Sequence, residues 1–216
     1  MRIACLHTAH SNVEVFDSAA ARLDMRELSL AHCVRVDLLT AAEAAGGLVP
    51  TIQGDTVDAL LNLSRDADAV LLTCSTLGPA ADVANKVALV PVLRVDAALA
   101  REATRAGGKV VALCAVQTTV QATLQIFSEA AAHTGAEVHV KLVEGAWDQF
   151  KAGDFDTYLE LIAKAVITAQ SESKCTVALA QASMTNAADH FVGGNRPLTS
   201  PSAGLLAAAR AAHTRA

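Results

Sequence analysis

Short apolar runs alternate with amphipathic or alanine-rich stretches along the whole of this chain. The runs Arg2 to Leu6, Cys33 to Asp37, Ala69 to Thr73, Val90 to Arg94, Lys109 to Cys114, Glu137 to Leu142 and Thr176 to Leu179 have the length and aliphatic content of strands. Between them the spacing predicts helices over Glu14 to Leu23, Thr56 to Arg65, Pro79 to Lys86, Ala97 to Ala106, Val120 to His133, Phe155 to Gln170 and Pro201 to Ala212. Strands and helices in alternation are the pattern of an α/β protein, with parallel pairing expected.

The pattern also repeats. Leu72-Thr73-Cys74-Ser75-Thr76 and Leu179-Ala180-Gln181-Ala182-Ser183 share an outline of strand end, polar turn and helix start, and Gln181 follows Cys74 by 107 residues. The same shift lays Ser11-Asn12-Val13 on Thr118-Thr119-Val120 and Ile3 to Leu6 on Val110 to Leu113. Two separate segments agree on one register, so the chain reads as a duplication. The halves are residues 1–96 with 197–216, and residues 97–196. Open α/β sheets bind ligands beyond the carboxyl ends of their strands. Four turns then qualify as lining for a cleft between the halves: His7 to Asn12, Cys74 to Gly78, Ala115 to Thr119 and Gln181 to Thr185. Together they are rich in hydroxyls and amides, and none has a carboxylate, a lining suited to a small anion held by neutral donors and helix amino ends.

Composition narrows the classes. A chain of 216 residues that is 52% hydrophobic can bury a substantial core. Aromatics amount to 3%, so Ala, Val and Leu build the interior and there is no platform for stacking bases. The net charge of −5 argues against nucleic acid or an acidic membrane surface as partner. The apolar run after Met1 is too short for a secretory leader, and the longest uncharged stretch, Val110 to Ser128, is full of Gln and Thr. A cytoplasmic protein is expected, with alanine-rich helices and low charge that suit a homo-oligomer.

The five cysteines form an odd set without C-x-x-C spacing, which fits free thiols. Cys5, Cys33, Cys114 and Cys175 lie in or beside apolar runs, as buried inert thiols do. Cys74 ends its run and precedes a turn and a helix start near Pro79, a setting that activates thiols as base or nucleophile. His10 could reach the same turns as an auxiliary acid or base, whereas a histidine at a strand end such as His7 is more often structural. Alternation sends Cys5 and His7 to one side with no carboxylate near, so no metal site is expected. Asp82 and Asp189 match under the repeat and read as acids in first helical turns.

Cys74-Ser75-Thr76, the Thr118-Thr119 turn, Leu179 to Met184 and Pro197-Leu198-Thr199-Ser200-Pro201 together resemble the aspartate/glutamate/hydantoin racemase superfamily. The resemblance implies two pseudo-symmetric Rossmann-like or flavodoxin-like α/β halves and an active site that needs no metal or other cofactor. It implies a small carboxylate substrate, with Ser11, Asn12, Ser75, Thr76, Thr118, Thr119, Ala182 and Ser183 around it. A threonine of the family pattern is replaced by Val116. In the racemases one cysteine from each half serves each face of the α-carbon; the first falls on Cys74 and the second on Gln181, which has no titratable proton. Three functions follow as expectations: a cofactor-independent racemase-like isomerase with Cys74 as the working thiol and Gln181 as a hydrogen-bonding group, a one-base lyase such as a malonate-type decarboxylase, and a carboxylate-binding protein without turnover.

Overall fold

The apolar runs form strands, and every pairing among the described residues is parallel. The computed structural model describes residues 1–23 and 27–215, with the backbone alone at 195 and 215; position 216, the end of the segment assigned to the first half, lies outside the described residues. The chain divides into two compact units, Met1–Ala98 with Pro201–Ala216, and Leu99–Ser200. The first contains β1 (Arg2–His7), α1 (Ser11–Arg22), β2 (Ser29–Val34), α2 (Val36–Ala44), α3 (Pro50–Leu63), β3 (Ala69–Leu72), α4 (Gly78–Asn85) and β4 (Val92–Arg94). The helix α5 (Val95–Thr104) leads to β5 (Lys109–Cys114), α6 (Val120–Ala131), β6 (Glu137–Leu142), α7 (Ala146–Ala152), α8 (Phe155–Glu172), β7 (Thr176–Leu179), a 3-10 segment over Ala182–His190 and β8 (Leu198–Thr199). The last helix, α9, spans Ser200–Arg215.

The two sheets have the same plan, with strand orders β2-β1-β3-β4 and β6-β5-β7-β8. Ile3 pairs with Ala69 across β1 and β3, and Val110 pairs with Thr176 across β5 and β7, so the central pair of each sheet is related by the 107-residue shift of the sequence repeat. The outer strand departs by one residue: Arg2 pairs with Ser29, but Lys109 pairs with Glu137.

Central strands covered on both faces read as continuous apolar runs, and β1, β3, β5 and β7 lie within a residue of their expected bounds. Three expectations fail. The strand expected over Cys33 to Asp37 lies at Ser29–Val34, because Val36 and Asp37 open α2 and this edge strand is only half-buried. Ser11 and Asn12 belong to the first turn of α1, not to a loop before it. The helix expected from Thr56 starts at Pro50, where a missing N–H costs nothing. The elements α2, α7 and β8 are short and were not anticipated.

In the first unit Ala4, Leu6, Val70 and Leu72 meet Leu38, Ile52, Leu60, Leu77 and Ala81 of the α2–α4 layer. The opposite face, carrying Leu71, meets α9 so closely that a Cβ on Gly204 would stand 2.8 Å from Val95 and 3.0 Å from Leu71. In the second unit Val111, Leu113, Val177 and Leu179 pack with Tyr158, Ile162 and Val166 of α8 and with Met184. Among the described residues no helix is long and apolar enough to cross a membrane.

Candidate functional site

Each sheet has a switch point. From β1 the chain crosses to β2 on one side and later returns to β3 on the other, and β5, β6 and β7 repeat the move, so loops part at the carboxyl ends of β1/β3 and of β5/β7. The expected site residues of each half lie on these loops or at the helix starts that follow them.

In the first half the Thr73 N–H donates to the Leu6 carbonyl at 3.0 Å, extending the pairing of β3 with β1 by one residue. Cys74 comes next. Its residue is 9% exposed and packs in the apolar cluster of Leu72, Leu77 and Ala81, a more enclosed place than a polar turn suggested. Ser75 is half-buried and Thr76 exposed. The Gly78 N–H donates to the Ser75 carbonyl at 3.1 Å, turning the chain into α4 with Pro79 as its second residue. On the neighbouring loop His10 is exposed at the cap position of α1, its carbonyl accepting from the Val13 N–H at 3.1 Å; Ser11 is exposed and Asn12 half-buried.

In the second half Gln181 ties the two loops together. Its Oε1 accepts from the Ala115 N–H at 2.7 Å, and its Nε2 donates to Thr119 Oγ1 at 2.8 Å. Thr119 in turn donates to the Val116 carbonyl at 2.7 Å. Both ends of the Gln181 amide and the Thr119 hydroxyl proton are therefore engaged within this half. Ser183 Oγ lies 2.8 Å from the hydroxyl of Tyr158, whose ionisation burial pushes up to about 12 against the easing effect of Ser183. Thr118 is exposed and Ala182 half-buried. Cys114, fully buried at the end of β5, is raised by burial, an effect reduced by the hydroxyls of Thr123 and Thr119.

Two charged groups differ from expectation. Asp82 lies past the first turn of α4 and pairs with Arg94 at 3.2 Å, and Asp189 lies near the end of its 3-10 segment and pairs with Arg196 at 2.7 Å. Arg94 is also held in a two-pronged contact by Asp96, both bonds at 2.8 Å, with its guanidinium against Gly78 at the start of α4. Burial lowers its hold on the proton, and the two carboxylates more than restore it.

A polar row, buried at its Thr73 and His7 end and exposed at Asp17, was not foreseen. His7 Nδ1 lies 2.9 Å from Thr73 Oγ1, His7 Nε2 lies 2.8 Å from His32 Nδ1, and His32 Nε2 lies 3.1 Å from Asp17 Oδ1. Burial, then the neighbouring His32, lower His7 to about 4. The signal was available in the β1–β2 register, which sets His32 beside Cys5; placing the strand at Cys33 left His32 outside it.

No protein-family model matches the sequence, and no curated protein does. Solved structures match over nearly the full length. Allantoin racemase from Klebsiella pneumoniae superposes with a TM-score of 0.71 at 14% identity, over 100% of this chain and 89% of that one. An aspartate racemase homologue from Pyrococcus horikoshii gives 0.68 at 13% identity, over 98% and 99%. Maleate isomerase from Pseudomonas putida gives 0.57 at 15% identity, over 96% and 90%. With its two four-stranded parallel sheets, the chain shares the fold of these solved structures.

Proposed function

We propose that this protein is a cofactor-independent isomerase of a small carboxylate, with Cys74 as its one working thiol. The observation that carries the reading is the position of Cys74 at the switch point of a fold shared with racemases and maleate isomerase. The proposed carboxylate donors are Ser11, Asn12, Ser75 and Thr76 of the first half, and Thr118, Ala182 and Ser183 of the second, through hydroxyls or backbone N–H groups; Thr119, whose hydroxyl and N–H both donate to the Val116 carbonyl, shapes its turn instead. Neutral donors fixed in place stabilise negative charge as it moves onto carboxylate oxygens. His10, exposed on the loop after β1, is the proposed auxiliary acid or base.

Gln181 directs the choice of chemistry. Racemisation needs a proton acceptor on one face and a donor on the other, and an amide with both ends hydrogen-bonded supplies neither. One thiolate is enough to isomerise an activated double bond. It adds to one alkene carbon, the π pair moves into the carboxylate as an enediolate, the remaining single bond rotates, and the pair returns as the C–S bond breaks. No net proton transfer is required. The one-base lyase also needs a single thiol, to protonate the enediolate left by loss of carbon dioxide.

Incubation in deuterated water with maleate, amino acids, hydantoins and substituted malonates separates these outcomes. Geometric isomerisation without solvent deuterium supports the proposed step, deuterium uptake with loss of optical activity indicates racemisation, and carbon dioxide release indicates the lyase. Turnover that survives Cys74→Ala in a folded protein overturns the role of Cys74 in all three. The enclosure of Cys74 by Leu72, Leu77 and Ala81 favours a second reading, a carboxylate-binding protein without catalysis. Alkylation of Cys74 no faster than an ordinary thiol, with binding and no turnover, would establish it.

A further inference from the structure

A second constellation in the first half stands apart from this chemistry. Cys5 and His7 alternate onto one face of β1, and the register of β1 with β2 sets His32 beside Cys5. The sulfur and one nitrogen of each imidazole lie within 4.8 Å of one another. Cys5 and His7 are fully buried, and the His32 side chain is 16% exposed. The two inner nitrogens, His7 Nε2 and His32 Nδ1, are 2.8 Å apart.

The outer nitrogens are held by other groups. The Asp17 carboxylate only accepts, so it fixes the proton of neutral His32 on Nε2 and turns the Nδ1 lone pair towards His7. Thr73 Oγ1, beside His7 Nδ1, also lies 3.1 Å from the Leu6 carbonyl. When the threonine hydroxyl donates to Leu6, its oxygen accepts from His7 Nδ1–H, and the His7 Nε2 lone pair also faces inward. The two imidazole lone pairs then face each other, each imidazole braced from behind, with the Cys5 sulfur within 4.8 Å of one nitrogen of each ring.

We propose that Cys5 Sγ, His7 Nε2 and His32 Nδ1 bind one divalent cation of the Zn²⁺ or Co²⁺ kind, with Asp17 and Thr73 orienting the two imidazoles. A thiolate with two imidazoles is a donor set these ions favour, and a carboxylate behind a ligating histidine is a recurrent support. A tetrahedral ion with bonds of about 2.0–2.3 Å holds its ligand atoms roughly 3.3–3.8 Å apart. The nitrogens open from their present 2.8 Å, and the sulfur lies within 4.8 Å of one nitrogen of each ring. The buried Cys5 thiolate offsets one charge of the dication directly, and the exposed Asp17 carboxylate offsets the other from behind His32. On loading, Cys5 gives its proton to solvent and forms the S–metal bond. His7 moves its proton from Nε2 to Nδ1, so one proton leaves per ion. Without the ion, His7 Nε2–H donates to His32 Nδ1 and the row is an ordinary chain of hydrogen bonds.

Titration of the reduced, chelator-treated full-length protein with Co²⁺ tests the site. One Co²⁺ per chain is expected, with thiolate-to-cobalt charge-transfer absorption in the near ultraviolet, displacement by Zn²⁺ and release of one proton in weak buffer. Cys5→Ser abolishes the band, and Cys33→Ser, on the other face of β2, leaves it. Because Asp17 is exposed, Asp17→Asn keeps the fold and weakens binding by about 10–100-fold. Absence of a saturable band in the native chain, a band that survives Cys5→Ser, or undiminished affinity in Asp17→Asn overturns the proposal.

Discussion

Tyr158 is the one tyrosine of the chain, so its ionisation can be followed without interference from another phenol. It is 1% exposed and packs in the core of the second half, with its hydroxyl 2.8 Å from Ser183 Oγ. Burial opposes formation of the phenolate and raises its pKa from 10 to about 12, with Ser183 acting in the other direction. In the unfolded chain the phenol ionises near 10, so between 10 and 12 the unfolded state holds fewer protons than the folded one. Stability from this group is therefore fully present below pH 10 and is lost as pH rises through 12. A two-unit shift corresponds to about 2.7 kcal/mol. The assay is a tyrosinate absorbance titration alongside far-ultraviolet circular dichroism, repeated in denaturant. The native protein is expected to ionise close to 12, or together with its unfolding, and the denatured chain close to 10. A native midpoint of 10 with the circular dichroism unchanged would refute the burial argument. Tyr158→Phe supplies the control: it flattens this part of the stability profile and, by taking the partner from Ser183, costs about 1 kcal/mol at neutral pH.

Gln181→Met retains bulk but leaves the Ala115 N–H, on a residue 3% exposed, without its acceptor, and a loss of about 1–3 kcal/mol in urea unfolding is expected; Gln181→Glu, which still accepts there and lets Thr119 turn its hydroxyl, should cost less at neutral pH, and equal losses would refute the tie. Arg94→Met strips the two-pronged contact from Asp96, whose side chain is 12% exposed, and should cost roughly 3 kcal/mol; addition of Asp96→Asn should recover part of that loss, and no recovery would count against an unpaired carboxylate as the cause. Gly78→Ala puts a methyl group into the Arg94 guanidinium and should cost about 1–3 kcal/mol; the cost should shrink in the Arg94→Met background, and strict additivity would refute the coupling.

The strands that the sequence made plain are those whose surroundings leave it little choice. β1, β3, β5 and β7 are covered on both faces and show as apolar runs, and even the edge strand β6 is visible through the strict alternation of Glu137 to Leu142. β2 has neither signal. Its Ser29-Leu30-Ala31-His32 stretch is mixed in character, and the apolar residues after it belong to α2, which drew the expected strand too far along the chain. The loops of the candidate site were legible from their position after strand ends. The bonds that decide what each side chain does were not, because Gln181 reaches back 66 residues to Ala115 and 62 to Thr119, and His7 reaches 66 ahead to Thr73. Periodicity contains no trace of such partners.

Those bonds give the repeat a physical meaning that its alignment alone lacks. The Thr73 N–H to Leu6 carbonyl bond in the first half has its counterpart in the Ala180 N–H to Leu113 carbonyl bond in the second, both at 3.0 Å. Around this shared backbone link the side chains differ. In the first half His7 and Thr73 join the ends of β1 and β3 by their own side chains. At the corresponding positions stand Cys114 and Ala180; alanine has no polar group to offer, and the Cys114 thiol turns to Thr123 at 3.4 Å. The brace moves one residue along, to Gln181, which spans to Ala115 and Thr119. Glutamine thus occupies the place equivalent to Cys74 because the second half needs a strut there, while His7 and Thr73 relieve Cys74 of that task in the first. The asymmetry between thiol and amide thus matches how each half secures its strand ends, and a thiol introduced at 181 would have to be accompanied by a new brace at 114 and 180.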